Sequence, residues 1–439
     1  MIRLSYQSTR NNILDAIRQE RENQSQASLD AKGEIPVMPI QTERRSTHDP
    51  RWALALVGFC TFLGLYATQA LLPTLKQLFA ASEMEVSLTI SAATAAVALT
   101  APLAGLVVDR WERKPLMIAS LFALAATTLL AATAPNLPAL IAWRFVQGLF
   151  VPVVYVVTLC YINETCDAGR LGASMASFIT GNVLGGFTGR ALSGTMIELG
   201  DWRLSFVALG GLTVVGTVAA AFLLPPSEQE RPAYLGMAGI RKWGELLRSP
   251  ALLGIFAAGF NTLFVLVALF TYVNFHLAEA PFHLGPMGLA AIFSVYLLGV
   301  IVTPLAGRLI DTYGYRPVFL AATATALAGV LITLLPTLWG VIAGLAICSS
   351  GVFVCQSAAT SALGATSGAS RSLASGLYLA FYYLGGSIGG ALPGFFWGQG
   401  GWWGCVLVVI CVQVLTMGIV SAFWPRLGVG VAKPAAAHS

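Results

Sequence analysis

Two arginines, Arg144 and Arg190, lie inside long apolar stretches of the sequence and not beside them. A guanidinium inside a bilayer costs at least about 2.5 kcal/mol, so an intramembrane arginine is by default a functional-site hypothesis. A helix rises about 1.5 Å per residue, which places both arginines roughly 10 Å from the same predicted membrane surface. The two guanidiniums could therefore converge on one anion, although Arg190 could instead reach the surface or pair with Glu198.

The acidic residues are distributed differently. None of the 20 lies near the middle of an apolar stretch, and Glu164 and Glu198 only approach the ends of theirs. A desolvated cation needs a buried counter-charge, so transport of lipophilic cations usually requires a membrane-embedded carboxylate. The pattern favours neutral or anionic solutes such as sugars, sugar acids or other small carboxylates. For proton coupling, Glu198, Asp109 or a group on the substrate itself could titrate.

Other polar and aromatic side chains are stranded in the apolar stretches and could line a cavity. We expect Tyr66, Gln69, Asn261 and Gln356 to line it, with Gln147 beside Arg144. Most aromatic residues in such positions are packing or interface anchors. The further candidates on this ground are Tyr155, Asn182, Tyr272, Asn274, Tyr296, Tyr378 and Tyr382.

Apolar helices must position these side chains. Of the 439 residues, 56% are hydrophobic and only 10% are charged, with a mean hydropathy of +0.74. This composition leaves too little charge for a soluble surface and predicts an all-α integral membrane protein. Twelve segments are long enough to cross a bilayer as helices: 52–75, 86–108, 115–134, 138–161, 171–198, 204–224, 251–275, 287–309, 317–335, 338–362, 373–397 and 403–424.

The segments fall into two groups of six. The polar stretch 226–250 is the predicted linker between an N-terminal bundle at 52–225 and a C-terminal bundle at 251–424. Outside the segments, every basic residue except Lys76 and Arg203 falls on the side that carries both polar tails, 1–51 and 425–439. The positive-inside rule therefore predicts that the linker and both tails are cytoplasmic.

Several function classes are excluded by the sequence. It has no basic stripe with interleaved aromatic residues, which argues against a nucleic-acid partner. The seven cysteines and four histidines show no metal-ligand spacing, and no phosphate-binding loop is present. We expect no metal, no cofactor and no enzymatic activity. The expected partners are a small-molecule substrate, protons and the lipid bilayer, and the protein is expected to be monomeric.

An internal repeat supports the division into halves. The segment GLVVDRWERKP at Gly105–Pro115 recurs 202 positions later as GRLIDTYGYRP at Gly307–Pro317. Parallel halves of this kind are a repeat arrangement of secondary transporters. The segment resembles the loop between the second and third helices of the major facilitator superfamily, which implies two pseudo-symmetric six-helix bundles. In that family the loop controls conformational change, which implies switch roles for Gly105, Asp109, Arg110, Arg113, Lys114, Glu164, Gly307, Asp311 and Arg316.

The chemistry of this predicted switch can be read from the residues. Asp109 can accept hydrogen bonds from the amino terminus of the eleventh helix near Ser375. Arg113 can pair with Glu164 at the end of the fourth helix. Arg144, within RFVQG, matches the arginine motif of the family's fourth helix, which takes part in substrate or proton coupling.

Two glycine-rich segments lie in corresponding places of the halves. GNVLGGFTGR, at Gly181–Arg190, resembles the antiporter signature on the family's fifth helix, and GGSIGG begins 204 positions later at Gly385. Small residues spaced in this way allow helix backbones to approach closely. Two readings remain open, simple helix packing or a hinge and seal between the halves. They concern Gly181, Gly185, Gly186, Gly189, Gly385, Gly386 and Gly389.

The resemblance extends over about residues 52–424 and is greatest to the drug/proton antiporter branch. It implies a secondary transporter that works by alternating access, with proton-coupled efflux of a small neutral or anionic solute, whether sugar, sugar acid, organic acid or drug. Two alternatives stay open: an importer of a small carboxylate or sugar, and a non-transporting membrane sensor.

Overall fold

The computed structural model describes residues 50–108, 111–166, 170–226, 243–367 and 371–424, and within these ranges the regular structure is helical. The helices are α1 (Arg51–Leu63), α2 (Leu72–Phe79), α3 (Glu83–Val108), α4 (Arg113–Ala131), α5 (Leu137–Thr165), α6 (Leu171–Glu198), α7 (Trp202–Leu223), α8 (Pro250–Ala278), α9 (Pro286–Ile292), α10 (Leu298–Tyr313), α11 (Tyr315–Ile332), α12 (Leu338–Thr366) and α13 (Arg371–Phe423). Two 3-10 turns, Ala67–Leu71 and Phe293–Leu297, join α1 to α2 and α9 to α10.

Twelve membrane spans follow from these helices. In the described residues, nine helical segments are apolar and long enough to cross a bilayer, and the pair Arg51–Leu63 and Ala67–Phe79, bent by 42°, makes a tenth. One of the nine, Leu373–Phe423, has 51 residues and contains two spans, because its backbone is non-helical at Gly401. The remaining span is α6, which has 28 residues but is rich in glycine and serine. The all-α membrane fold predicted from the sequence is confirmed.

We number the spans in chain order. Span 1 is α1 with its 3-10 turn and α2, spans 2 to 7 are α3 to α8, and span 8 is α9 with its 3-10 turn and α10. Spans 9 and 10 are α11 and α12, and spans 11 and 12 are residues 371–400 and 402–423 of α13. The inner end of the bundle is where span 1 begins at Arg51, and the outer end is where span 2 begins at Glu83.

Polar side chains and glycines end the spans at the outer turns. Asn136 and Thr337 cap spans 4 and 10, accepting from backbone amides at 2.9 and 3.2 Å, and Asp201 caps span 6 in the same way. Gly401 has a φ of 53°, which lets spans 11 and 12 fold back on each other. The thiol of Cys405 then reaches the carbonyl of Pro393 at 3.5 Å.

The glycine rows pack spans together inside each half. A Cβ added at Gly185 would lie 2.2 Å from the carbonyl oxygen of Phe59 in span 1, and one at Gly385 would lie 2.0 Å from that of Phe260 in span 7. These glycines therefore pack against spans of their own half, as the helix-packing interpretation expects. The other close approaches are Gly181 to Ala55, Gly189 to Leu63, Gly389 to Phe264 and Gly386 to Leu263, whereas Gly186 faces Arg190.

These contacts also reveal the repeat in three dimensions. Span 5 lies on span 1 as span 11 lies on span 7, and the contacting residues differ by 200 or 201 positions. Residues related by the repeat meet where the halves touch: Gln69 donates to Thr271, 202 positions later, at 3.2 Å. The halves are therefore arranged about a pseudo-two-fold axis.

The two halves contact each other closely at the outer end. Ser387 in span 11 donates to the backbone carbonyl of Ser91 in span 2 at 3.0 Å. Glu198, at the end of span 5, accepts from the backbone amide of Met287 in span 8 at 3.2 Å. Lys76 lies 3.4 Å from Glu279 across the halves. The outer end is closed in this conformation.

A disulfide across the halves should form at this closed end. A Cβ on Gly390 would lie 3.6 Å from the Cβ of Ser91, within the range of about 3.5–4.5 Å found in disulfides. We expect the S91C/G390C variant to cross-link on mild oxidation, detected on a denaturing gel after cleavage at a protease site placed in the linker. The control S91C/G398C keeps the same two spans, and Gly398 has open space around its Cβ position. Equal cross-linking of both variants would contradict the closed outer end.

A methyl group on the span-1 face of span 5 should destabilise the N-terminal half. G185A forces a Cβ against the Phe59 carbonyl, and overpacking of this kind costs about 1–3 kcal/mol of unfolding free energy. G172A, on the same helix with nothing within 4 Å of the added Cβ, should lose no stability. Thermal unfolding of the purified protein in detergent compares the two. Indistinguishable melting temperatures would show that spans 1 and 5 can separate without cost.

Candidate substrate site

The site is built around an interruption in span 1. The α-helix ends at Leu63, turns through Gly64 and Leu65, and continues as the 3-10 turn at Ala67–Leu71. Such an interruption exposes backbone carbonyls that a regular helix would use internally. Transporter sites are typically formed by discontinuous helices of this kind.

Arg144 fills this interruption from span 4. Its side chain is completely buried, and it donates to the carbonyls of Gly64 at 2.9 Å and of Leu65. It also donates to the carbonyl of Thr89 in span 2 and to the side chain of Gln147, whose amide in turn donates to Thr128. Arg144 and Gln147 therefore join spans 1 to 4 to one another. Each nitrogen of the Arg144 guanidinium thus donates to a protein group in this conformation.

Arg190, in span 5, approaches the same interruption through side chains. Its Nε donates to Gln69 at 2.8 Å, and its Nη1 donates to the carbonyl of Gly186, one turn back in its own helix, at 2.8 Å. The central carbon of the guanidinium lies 5.0 Å from the ring centre of Tyr66. The side chain is only 5% exposed, so it does not reach the surface, and Glu198 is exposed and bonded to Met287 instead.

The second half completes the surroundings of Arg190. Phe293 and Tyr296, in the 3-10 turn of span 8, place their ring centres 4.7 and 5.0 Å from the guanidinium carbon. Such arrangements stabilise a buried cation through the negative ring faces. The guanidinium thus lies between the irregular turns of spans 1 and 8, with one half of the protein on each side.

The charge of Arg190 has no carboxylate opposite it. Among the described residues, the ion pairs are Lys76 with Glu83 and Glu279, and Arg113 with Glu164. In the same residues, Nη2 of Arg190 has no protein acceptor, whereas Gln69 uses its amide oxygen for Arg190 and its amide nitrogen for Thr271. The two arginines share no hydrogen-bond partner among the described residues, and their convergence on one anion stays a prediction.

Tyrosines from both halves lie near Arg190. Tyr382, in span 11, lies within electrostatic range of Tyr66, Tyr155 and Tyr296. The ring of Tyr383 packs edge-on against that of Tyr382, with centres 5.3 Å apart. Tyr66 and Gln69 contact Arg190 directly, and a cavity lined by Tyr66, Gln69 and Gln356 stays a prediction.

Asn261 was predicted to line the cavity but lies apart from Arg190. It is buried in span 7, and its side-chain oxygen has no partner in the described structure. No described contact joins it to the Arg190 cluster, which consists of Arg190, Tyr66, Gln69, Thr271, Phe293 and Tyr296. Phe293 and Thr271 belong to the cluster but were not predicted. A phenylalanine or threonine in an apolar span gives no sequence signal that separates a cavity wall from ordinary packing.

The predicted switch residues lie at the inner end. Arg113 donates twice to Glu164 through Nε at 3.1 Å and once through Nη2 at 2.9 Å, so the expected pair is present. Lys114 donates to the carbonyl of Leu224, and Arg316 donates to that of Ser421 in the second half. Gly105 belongs to α3, Gly307 and Asp311 are exposed in α10, and Asp109 and Arg110 lie outside the described residues.

Comparison with known proteins agrees with this geometry. The family model of the Major Facilitator Superfamily matches residues 54–303. The chain is 32% identical over 380 residues to the inner membrane transport protein YnfM of Escherichia coli (strain K12), covering 85% of this chain and 90% of that protein. It is 31% identical over 375 residues to the uncharacterized MFS-type transporter YybF of Bacillus subtilis (strain 168), covering 85% and 91%. The chain belongs to the major facilitator superfamily.

Solved structures show the same fold at lower sequence identity. A bacterial homolog of the human lysosomal transporter Spinster, described as inward-facing and unoccupied, matches with a TM-score of 0.67 and 15% identity over 86% of this chain and 98% of that one. The nucleoside transporter NupG matches equally well, over 86% and 100%. This major facilitator protein is therefore a multi-pass membrane protein of the transporter type.

Removal of Arg144 should destabilise this major facilitator protein more than removal of a surface arginine. R144A leaves the buried carbonyls of Gly64 and Leu65 without their donor, and each orphaned group costs about 1–3 kcal/mol. R203A removes a partly exposed arginine that reaches one carbonyl, that of Ala134, at 3.3 Å. Thermal unfolding in detergent should show the larger loss for R144A. Equal losses would mean that the interruption in span 1 does not depend on Arg144.

Proposed function

We propose that this protein exports a small neutral or anionic solute from the cytoplasm in exchange for protons, by alternating access between its two halves. It acts as a carrier and not as an enzyme, in a bacterial inner membrane with both tails cytoplasmic. One observation carries the solute class: the guanidinium of Arg190 is buried between the halves and has no carboxylate partner among the described residues.

Electrostatics support the sign of the solute. The acids in the described spans lie near helix ends, as with Glu83, Glu164 and Glu198. A cation bound about 4 Å from Arg190 would be repelled by roughly 4 kcal/mol at an effective dielectric constant of 20, and an anion attracted by as much. Arg190 would hold the solute, and the tyrosines would surround the rest of it.

The position of the site supports alternating access. Tyr66 and Gln69 contact Arg190 from the first half, and Phe293 and Tyr296 contact it from the second. A rotation of one half against the other would therefore open the site to one side at a time. In this proposal the pair Arg113–Glu164 and the neighbouring basic residues set the balance between the two states at the inner end.

Glu198 is the proton carrier in this proposal. Its carboxylate accepts from Met287 of the other half at the outer end, so protonation removes an acceptor charge and weakens the closed state. Because Glu198 is exposed, it can take its proton from the outside. For exchange, the proton bound from the outside must then leave towards the inside before the contact with Met287 forms again and the outer end closes.

Everted membrane vesicles with an acidic interior test the proposal. Addition of a transported solute should release protons, reported by a pH-sensitive dye, for at least one sugar, sugar acid or small carboxylate and for no lipophilic cation. R190A should reduce this signal at least about tenfold, because a charge-assisted hydrogen bond contributes about 1.5–3 kcal/mol. R203A, with its arginine at the outer end, is the matched control.

Three results would contradict parts of the proposal. A signal with cations alone would overturn the solute class. Accumulation of solute in right-side-out vesicles with an acidic exterior would show import. Binding of a solute to the purified protein without flux in liposomes would indicate a sensor. E198Q should retain exchange of labelled for unlabelled solute and lose proton release, and normal proton release by E198Q would assign the proton to another group.

A further inference from the structure

We infer that the solute is an aromatic carboxylate, held by its carboxylate at Arg190 and by its ring among the tyrosines. This inference rests on the proposed function, because it narrows the solute class for the same site. It follows from three features of the site: one guanidinium nitrogen without an acceptor in the described residues, aromatic rings from both halves, and the occupation of the Gln69 amide by the protein itself.

The carboxylate position follows from the bonding of Arg190. Its Nε and Nη1 are bonded to Gln69 and to the carbonyl of Gly186, while Nη2 has no acceptor in the described residues. A carboxylate at Nη2 would form a charge-assisted hydrogen bond of about 2.7–2.9 Å. A neutral solute would leave the charge of Arg190 without compensation.

Aromatic rings form the remaining walls of the site. Tyr66 and Tyr296 lie against the guanidinium, and Tyr382 of span 11 lies within electrostatic range of both. The ring of Tyr382 itself packs edge-on against that of Tyr383 and stacks against that of Tyr378. Aromatic rings bind one another in offset or edge-on geometry more strongly than buried area alone predicts. A flat ring is therefore the solute body that these walls fit best.

The Gln69 amide beside Arg190 is already occupied. Both of its ends are bonded, to Arg190 and to Thr271. A sugar acid brings several hydroxyl groups, each of which loses its water and needs a new partner. The Gln69 amide has no free group to serve them. The site therefore discriminates against polyols and accepts a ring with few polar groups.

Four probes separate the two parts of the inference in calorimetric titrations of the purified protein. Benzoate has both charge and ring, cyclohexanecarboxylate has the charge alone, benzamide has the ring alone, and glucuronate has the charge on a polyol. We expect benzoate to bind roughly three- to tenfold more tightly than cyclohexanecarboxylate, at least about tenfold more tightly than benzamide, and more tightly than glucuronate.

Variants assign each preference to its residue. R190A should abolish the preference for benzoate over benzamide and retain the preference for benzoate over cyclohexanecarboxylate. Y382L should do the opposite, and Y382F, which keeps the ring, should retain the ratio of benzoate to cyclohexanecarboxylate affinity. General unfolding would weaken all four probes together and leave these ratios unchanged, so the ratios report on the site itself.

The outcomes distinguish this inference from the proposed function. Cyclohexanecarboxylate or glucuronate binding as tightly as benzoate would overturn the aromatic assignment and leave anion export in place. Benzamide binding as tightly as benzoate, with no effect of R190A, would overturn both the inference and the anionic class. Binding of none of the four probes would overturn the inference, and solute-driven proton release in vesicles would still test export independently.

Discussion

A guanidinium inside an apolar helix bundle must find hydrogen-bond acceptors, and regular helices offer few because their carbonyls are already bonded within the helix. Arg144 meets this constraint by means of the interruption in span 1, where the carbonyls of Gly64 and Leu65 are directed at it. The interruption in turn sets the 3-10 turn that presents Tyr66 and Gln69 to Arg190. The backbone of span 1 therefore accepts the hydrogen bonds of Arg144. The guanidinium of Arg190 lies beside the same interruption and is the charge that the proposed function assigns to the solute.

Much of the fold could be predicted from the sequence, because hydropathy and the repeat act over long stretches. The twelve apolar segments and the pair Arg113–Glu164 correspond to features of the structure. The difference between Arg144 and Arg190 could not be predicted. Both arginines are buried at similar depth, and only the neighbouring backbone distinguishes them. That backbone conformation depends on tertiary contacts, for which a single glycine at position 64 is too weak a signal.

The glycines pack helices closely both within and between the halves. Span 1 lies against span 5 at the backbone through Gly185, and span 7 lies against span 11 through Gly385. Interiors packed in this way tolerate little change in side-chain volume. Between the halves, a Cβ on Gly390 would lie 3.6 Å from that of Ser91, and the hydrogen bonds of Ser387 and Glu198 join the same end. The outer closure therefore combines close packing with separable polar contacts.

The rings around Arg190 belong to both halves, and this has a consequence for the idle carrier. Opening the outer end would withdraw Phe293 and Tyr296 from the guanidinium and leave a bare charge in a low-dielectric interior. Without an anion to take their place, that step is uphill. Under the proposed function, an empty carrier would therefore rest sealed towards the outside, and the permeability barrier of the membrane would depend on the same charge that binds the solute.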